Sequence, residues 1–277
     1  MEGADLERIE IELVVEAMRK GYGFDFRHYS QASLKRRIRN FMAGQGLHRP
    51  SELIPKVLSD RSYMASLVYA ISVPVTEMFR DPRVYRVLRK AVIPVLKTYP
   101  HVKIWHAGCA TGEEVYSMAI VLHEEGLGSR CQIYATDLND KALSRAKEGI
   151  YPVDAVKSYQ DNYVRSGGRS TLSEYFHSKY DSIIMSPELK KRLVFANHNL
   201  VSDASFGEFH VIMCRNVMIY FKQELQDRVL KLFANSLVPR GFLCLGTKEN
   251  IAFSRHSDLF VPFAEREKVY QRAWNRE

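Results

Sequence analysis

Between Lys103 and Tyr116 the chain reads KIWHAGCATGEEVY, which is a strand, a tight glycine-containing turn and the start of a helix in immediate succession. Ile104 and Trp105 close an apolar run, Ala107, Gly108, Ala110 and Gly112 supply small residues, and an apolar helical pattern begins at Val115. A loop without bulky side chains lets the backbone touch a ligand, and free N–H groups at a helix start attract electronegative atoms. The turn has neither the GK[ST] of a P-loop nor a complete G-x-G-x-x-G. Glu113 and Glu114 at its mouth would repel a pyrophosphate but suit a positively charged ligand, such as the ammonium and sulfonium of S-adenosylmethionine. The spacing does not separate the two: one caps the helix and the other faces the ligand. The next strand, Cys131 to Thr136, ends in Asp137, and an acid at a second strand's end is where doubly wound folds hold ribose hydroxyls; a helix cap is the plainer use of such an aspartate.

From Val102 onward strand and helix patterns alternate: strand 102–107, helix 113–125, strand 131–136, helix 139–148. Alternation of this kind predicts a parallel sheet covered on both faces by right-handed crossovers. Residues 151 to 195 break the rhythm with a helical stretch, Gly167 and Gly168, and short Tyr-, Phe- and Ile-rich segments that predict a small antiparallel insertion at about 168–192. The main sheet resumes at 192–197, 210–214 and 241–246, with a helix over 223–237 and closing strands near 260–263 and 269–272.

Ahead of this lies a helical segment. Leu6, Ile9, Leu13 and Ala17 recur at helical spacing before Gly21 and Gly23, and a second helix from about Gln31 places Leu34 and Ile38 on one side. Its other side carries Lys35, Arg36, Arg37 and Arg39 without an acid; a solvated face and a docking face both fit. Two shorter helices, 51–58 and 62–71, complete an all-helical domain, here taken as 1–80. Asp81 and Pro82 predict an N-cap and first turn for a helix to Leu96, so 81–101 reads as connecting helix and linker and 102–277 as the α/β domain.

The net charge of +8 allows nucleic acid, an acidic membrane surface or an acidic protein as partner. Four scattered cysteines without a C-x-x-C pair predict reduced buried thiols and no metal. No apolar run approaches the roughly 20 residues that cross a bilayer, and the acidic N-terminus does not resemble a signal peptide, so the expected location is the cytoplasm and no membrane insertion is predicted.

The segments VTEMFRDP (75–82), IWHAGCATGEEVYSMAI (104–120), IYATDLNDKALSRAKEGIY (133–151), NHNL (197–200) and CRNVMIYF (214–221) together resemble the CheR-type methyltransferases, which methylate glutamates of chemotaxis receptors. The resemblance implies a Rossmann-like class I methyltransferase domain with a small antiparallel β-subdomain, preceded by an all-helical N-terminal domain. It implies S-adenosylmethionine as cofactor, S-adenosylhomocysteine as product and receptor glutamate methyl esters, formed in sensory adaptation, as the outcome. Thr76, Arg80, Ala107, Asp137, Leu138, Asn199, Leu200, Arg215 and Asn216, with Glu113 or Glu114, are then expected around the cofactor. Arg80 and Tyr220 are expected at the reacting group, although a tyrosine in VMIYF would by pattern alone be core. The basic helix bearing Lys35, Arg36, Arg37 and Arg39 is expected to dock the receptor's cytoplasmic stalk, and the β-subdomain either takes a receptor tail peptide by strand addition or serves as a spacer. Pro74 stands where many members have asparagine. A monomer without nucleic-acid partners is expected.

Two other readings remain open. A methyltransferase of nucleic acids or small molecules fits the charge, but the [DNS]-P-P-[YFW] motif usual for exocyclic amines is absent after the fourth strand. A non-catalytic module that binds the cofactor as a sensor or scaffold would share the same loop.

Overall fold

A computed structural model describes residues 3–72 and 74–274, and they form two compact units. One comprises the chain to Pro74 together with Tyr220–Gln226; the other comprises Val75–Ile219 and the chain from Asp227. The segment Thr76–Arg80 and the helix after it therefore belong with the sheet, not with the helical domain and linker to which the sequence pattern assigned them.

The helical unit contains α1 (Gly3–Tyr22), α2 (Gln31–Gly44), α3 (Leu53–Ser59) and α4 (Arg61–Ser72). Its core is built from Ile11, Val14, Val15 and Met18 of α1 against Leu34, Ile38, Leu53, Val57, Leu67 and Ile71. The expected face of α1 (Leu6, Ile9, Leu13, Ala17) is thus rotated: Leu13 is 51% exposed. Two apolar stripes coexist on this helix, and the denser one, at i, i+3, i+4 and i+7 from Ile11, is the one buried.

In the second unit α5 (Pro82–Val87) continues through a π-helical stretch, Leu88–Val92, into α6 (Ile93–Leu96). Pro94 has no N–H to offer Lys90, and widening the turn absorbs the missing bond without ending the helix. Then follow β1 (Val102–Ala107), α7 (Glu113–Glu124), β2 (Cys131–Asp137), α8 (Asp140–Glu148), β3 (Ile150–Pro152), α9 (Val156–Arg165), β4 (Phe176–Lys179), β5 (Ser182–Met185), α10 (Pro187–Lys190), β6 (Leu193–Asn197) and β7 (Phe209–Cys214). The chain closes with α11 (Gln223–Ser236), β8 (Leu237–Leu245), β9 (Phe260–Ala264) and β10 (Val269–Arg272).

The main sheet has the order β6-β2-β1-β7-β8-β10-β9; the first five strands are parallel, and β10 runs antiparallel to both its neighbours. This is a Rossmann-like architecture with one reversed strand, β10, inserted between β8 and the edge strand β9. β1 and β7 are buried almost throughout, because α-helical crossovers cover both faces. Trp105 anchors one face among Phe206, Phe209 and Phe233, and its indole N–H donates to the Thr136 hydroxyl at 2.8 Å. Strand order reverses between β1 and β7, so their carboxyl ends form the crevice where open α/β sheets bind ligands.

The small sheet, ordered β3-β5-β4, takes one strand from Ile150–Pro152, upstream of the expected insertion. Three residues are too few to show a period of two, and their partner β5 lies some thirty residues on. The cysteines are all free and buried.

Candidate functional site

The glycine turn after β1 departs from the expectation of open amides. Gly108 and Cys109 N–H both donate to the Thr136 carbonyl (2.8 and 2.9 Å), and Ala110 N–H donates to Asp137 Oδ2 at 2.8 Å. These three donors tie the turn to the end of β2. Asp137 also accepts from Asn139 N–H at 2.9 Å, while the cap of α8 is Asn139, which accepts from Lys141 and Ala142 N–H. Asp137 is therefore not the helix cap. Burial raises its pKa, with the Ala110 and Asn139 amides opposing.

Gly108 sits at φ +79°, and a Cβ there would lie 2.5 Å from Cγ2 of Val217. Gly108→Ala is expected to cost about 2–3 kcal/mol, combining the left-handed backbone with overpacking against a stiff β-branched neighbour. Thermal melting of Gly108→Ala against Gly108→Ala/Val217→Ala checks this: the second change should recover the packing part and leave the backbone part.

The structure separates the two glutamates. Glu114 accepts from Arg215 Nη1 at 2.8 Å and lies 3.1 Å from His106 Nδ1; burial pushes its pKa up, but Arg215 and His106 prevail and the net shift is downward. Glu113 has no cationic partner among the described residues; its Oε2 accepts from the Thr111 hydroxyl at 2.7 Å, and the helix N-cap is Gly112 with no side-chain bond. Burial lifts the Glu113 carboxyl to about 7. A folded-state pKa raised this way favours folding below the ordinary carboxylate range, and the benefit is lost as pH climbs through about 7. The melting temperature of Glu113→Gln relative to the parent should accordingly rise by several degrees between about pH 5 and about pH 8. A pH-independent difference between the two proteins would contradict it.

Arg215, expected against the cofactor, is instead locked inside the protein: Nη1 donates to Glu114, and Nη2 to Asp81 Oδ2 (2.8 Å) and to the Arg80 carbonyl (3.0 Å). The expected N-cap bond of Asp81 is missing, and the residue lies at φ 52°. Its carboxylate serves the buried guanidinium, a charge-assisted bond stronger than a cap. Pro82 does occupy the first turn of α5 as expected. Arg80 itself is half-buried; its Nη1 reaches the Val75 carbonyl at 3.5 Å and finds no carboxylate among the described residues. Thr76 lies in the same segment and is half-buried.

Sequence reasoning missed Glu249. Buried to 4% exposure, it accepts five backbone N–H bonds of 2.5–3.3 Å, Oε2 from Asn216 and Gly246 and Oε1 from Val217, Met218 and Ile219. It holds the RNVMI turn after β7, including Asn216 at φ 63°. The only sequence signal was an acidic residue just past the strand ending at Leu245. On the β6 side, Asn199 Oδ1 accepts from Val201 N–H at 2.9 Å, Leu200 is buried, Ala107 is buried and Leu138 is half-buried. The carboxyl edge of the sheet thus carries Ala107 at the end of β1, Glu113 at the start of α7, Asp137 and Leu138 at the end of β2, and Asn199 and Leu200 just past β6, while Arg215 is an internal brace and the Asn216 N–H is held by Glu249.

The remaining expected residues lie in the helical unit. The Tyr220 ring sits 4.0 Å beneath the Arg37 guanidinium, and the Tyr220 carbonyl accepts from Ser30 N–H at 2.7 Å. Arg37 is 6% exposed and donates to the Ile71 carbonyl, so the expectation that it forms part of a docking face is corrected: on this helix the Leu34–Ile38 side turns it inward. Lys35 and Arg39 both pair with Glu7, and Arg36 alone of the four is exposed with no carboxylate partner among the described residues.

Residues 74–267 match the family model "CheR methyltransferase, SAM binding domain", and residues 9–72 match "CheR methyltransferase, all-alpha domain". The Pseudomonas putida protein Cher3 is 46% identical over 265 residues, covering 96% of this chain and 97% of that one. A chemotaxis protein methyltransferase of Listeria innocua is 31% identical over 250 residues (89% and 92%), and chemotaxis protein methyltransferase 1 of Pseudomonas aeruginosa is 31% identical over 252 residues (87% and 89%).

Proposed function

This chain belongs to the CheR methyltransferase family and uses S-adenosylmethionine as cofactor, and we propose that it methylates glutamate side chains on the cytoplasmic domain of chemotaxis receptors, forming methyl esters. The residues at the strand ends fit that cofactor. Glu113, the glutamate with no cationic partner among the described residues, suits an ammonium, and Asp137 suits ribose hydroxyls, whereas the inward-turned amides of 108–110 would not hold a pyrophosphate. Bound there, the cofactor supplies an electrophilic methyl on a sulfonium. Thr76, Ala107, Leu138, Asn199, Leu200 and Asn216 are proposed to complete its pocket.

The observation that carries the reading is Arg80, a half-buried guanidinium with no carboxylate partner among the described residues, in a turn held by Ser117 of α7 and by Arg215 just past β7. A glutamate is already ionised near neutral pH, so transfer needs no base but needs its carboxylate held in line. A planar fork that is permanently charged performs that task with two parallel hydrogen bonds. Tyr220 is proposed to act at the reacting group through its hydroxyl. Arg36 is proposed to meet the acidic receptor stalk, with Lys35 and Arg39 contributing only when Glu7 releases them. A receptor tail could extend the small sheet at β4, where His177, Ser178 and Lys179 are exposed on an edge strand. Action on that domain is the ground for the proposed cytoplasmic location; no helix among the described residues is long and apolar enough to cross a membrane.

Incubation with methyl-labelled cofactor and receptor-enriched membranes tests the proposal. Base-labile label on receptor bands, lost in Arg80→Ala, is the expected result; label confined to nucleic acid, or none on receptor, would overturn it.

A further inference from the structure

The geometry points to Arg215 as a positioning residue: its buried guanidinium, braced by Glu114, clamps the Phe79-Arg80-Asp81 turn in a strained form and thereby aims the Arg80 side chain. The inference rests on the reading of Arg80 given above.

Phe79 and Asp81, the residues flanking Arg80, both adopt left-handed backbone (φ 53° and 52°), which is uncommon for non-glycine residues and disfavoured for a bulky phenylalanine. Two such residues at alternate positions persist only where the surroundings over-determine them. Here three anchors do so. Phe79 is fully buried between Tyr85 and Tyr163 (ring centroids 5.1 and 5.2 Å), and its N–H donates to the Ser117 hydroxyl at 2.8 Å. The Met78 carbonyl accepts from Asn162 Nδ2 at 3.2 Å. On the far side of Arg80, the single Nη2 of Arg215 takes both the Arg80 carbonyl and the Asp81 carboxylate. The Arg215 side chain is 1% exposed, and its other terminal nitrogen is held by Glu114, which in turn meets His106.

The consequence is a division of labour between two arginines of the family motifs. Arg215 commits three of its four terminal N–H groups to Glu114, Asp81 and the Arg80 carbonyl, and its side chain is buried. Arg80 has its backbone carbonyl fixed and its guanidinium unpaired with any carboxylate among the described residues. Holding a main-chain carbonyl next to the gripping side chain fixes where that side chain starts, and small misplacements of a positioning group can cost about 10²-fold in rate. Ser117 makes the second anchor on the α7 side: its hydroxyl donates to the Glu113 carbonyl and accepts from Phe79 N–H. The turn is therefore gripped from the first helix after the glycine loop and from the end of β7 together.

The test uses the full chain with Arg215→Met, which keeps length without charge, Arg215→Lys, and each combined with Arg80→Ala. Arg215→Met should lower kcat for receptor methylation by about 10–100-fold with KM and S-adenosylhomocysteine affinity shifted less than about threefold. Arg215→Lys, able to keep one partner but not three, should recover part of the loss. In the Arg80→Ala background the same change should cost less than about threefold, because a misdirected side chain that is no longer present cannot be misdirected further. Equal loss in both backgrounds, or loss expressed as weakened nucleotide binding, would overturn the inference and make Arg215 a general fold or cofactor residue. Amide hydrogen exchange supplies a readout independent of any receptor. Peptides spanning 78–84 should lose protection by about tenfold in Arg215→Met while β1 peptides stay unchanged. If the parent protein methylated no receptor yet this exchange pattern held, the substrate reading would fail and the clamp would stand; unchanged exchange at 78–84 would remove the clamp whatever the substrate.

Discussion

Arg80→Ala should reduce methyl transfer to receptor by about 10²- to 10³-fold while the melting temperature stays within about 2 °C of the parent. The asymmetry follows from what the side chain touches. Its guanidinium makes one long bond, to the Val75 carbonyl at 3.5 Å, so folding gains little from it, whereas a substrate carboxylate would gain a bidentate partner. Arg80→Lys should restore only a small part of the rate, since an ammonium is a point charge without the fork. Single-turnover transfer and a thermal melt on the same preparations decide the matter. A stability loss matching the activity loss would mean that the residue holds the fold, and full activity in Arg80→Ala would remove it from the site.

Glu249→Ala should be the most destabilising single change near the site, by about 3–5 kcal/mol, with cofactor affinity falling as the turn after β7 loosens. Five backbone N–H groups lose their acceptor at once, and four of them, Asn216 to Ile219, lie in the turn that holds Asn216 at φ 63°. Burial pushes the Glu249 pKa up, while the Gly246 and Asn216 amides, followed by those of Met218 and Val217, pull it down. Glu249→Gln should lose a substantial part of the same stability, because turning an NH₂ toward either the Asn216–Gly246 pair or the Val217–Ile219 set faces donor with donor. Urea unfolding of the three proteins measures the series; near-parental stability of the alanine variant would show that water replaces the carboxylate at little cost.

The arginine of CRNVMIYF, which the resemblance puts beside the cofactor, and the aspartate of FRDP, which local pattern makes a helix cap, take their observed partners from segments far away in the sequence. Arg215 and Asp81 stand 134 positions apart, and Arg215 and Glu114 stand 101 apart. A guanidinium three residues from a cofactor loop and one bonded to a distant carboxylate have the same local sequence. Arg37 shows the same limit at shorter range: a cation at the edge of a helical stripe reads as surface, yet the turn of α2 carries it inside, over the Tyr220 ring.

The strand, glycine turn and helix at 102–124, the order of strands and helices after it, the four N-terminal helices and the acid at the end of β2 were legible residue by residue, because each depends on a period of two or 3.6 or on a turn whose chemistry lies within a few positions. Which stripe of α1 is buried, where the small sheet finds its first strand, which of Glu113 and Glu114 is already paired, and which arginine is free to grip a carboxylate were settled only once distant segments met. Those outcomes hang on competition between partners for the same hydrogen bonds, and the winner is set by burial and by three-dimensional distance, neither of which a linear pattern contains.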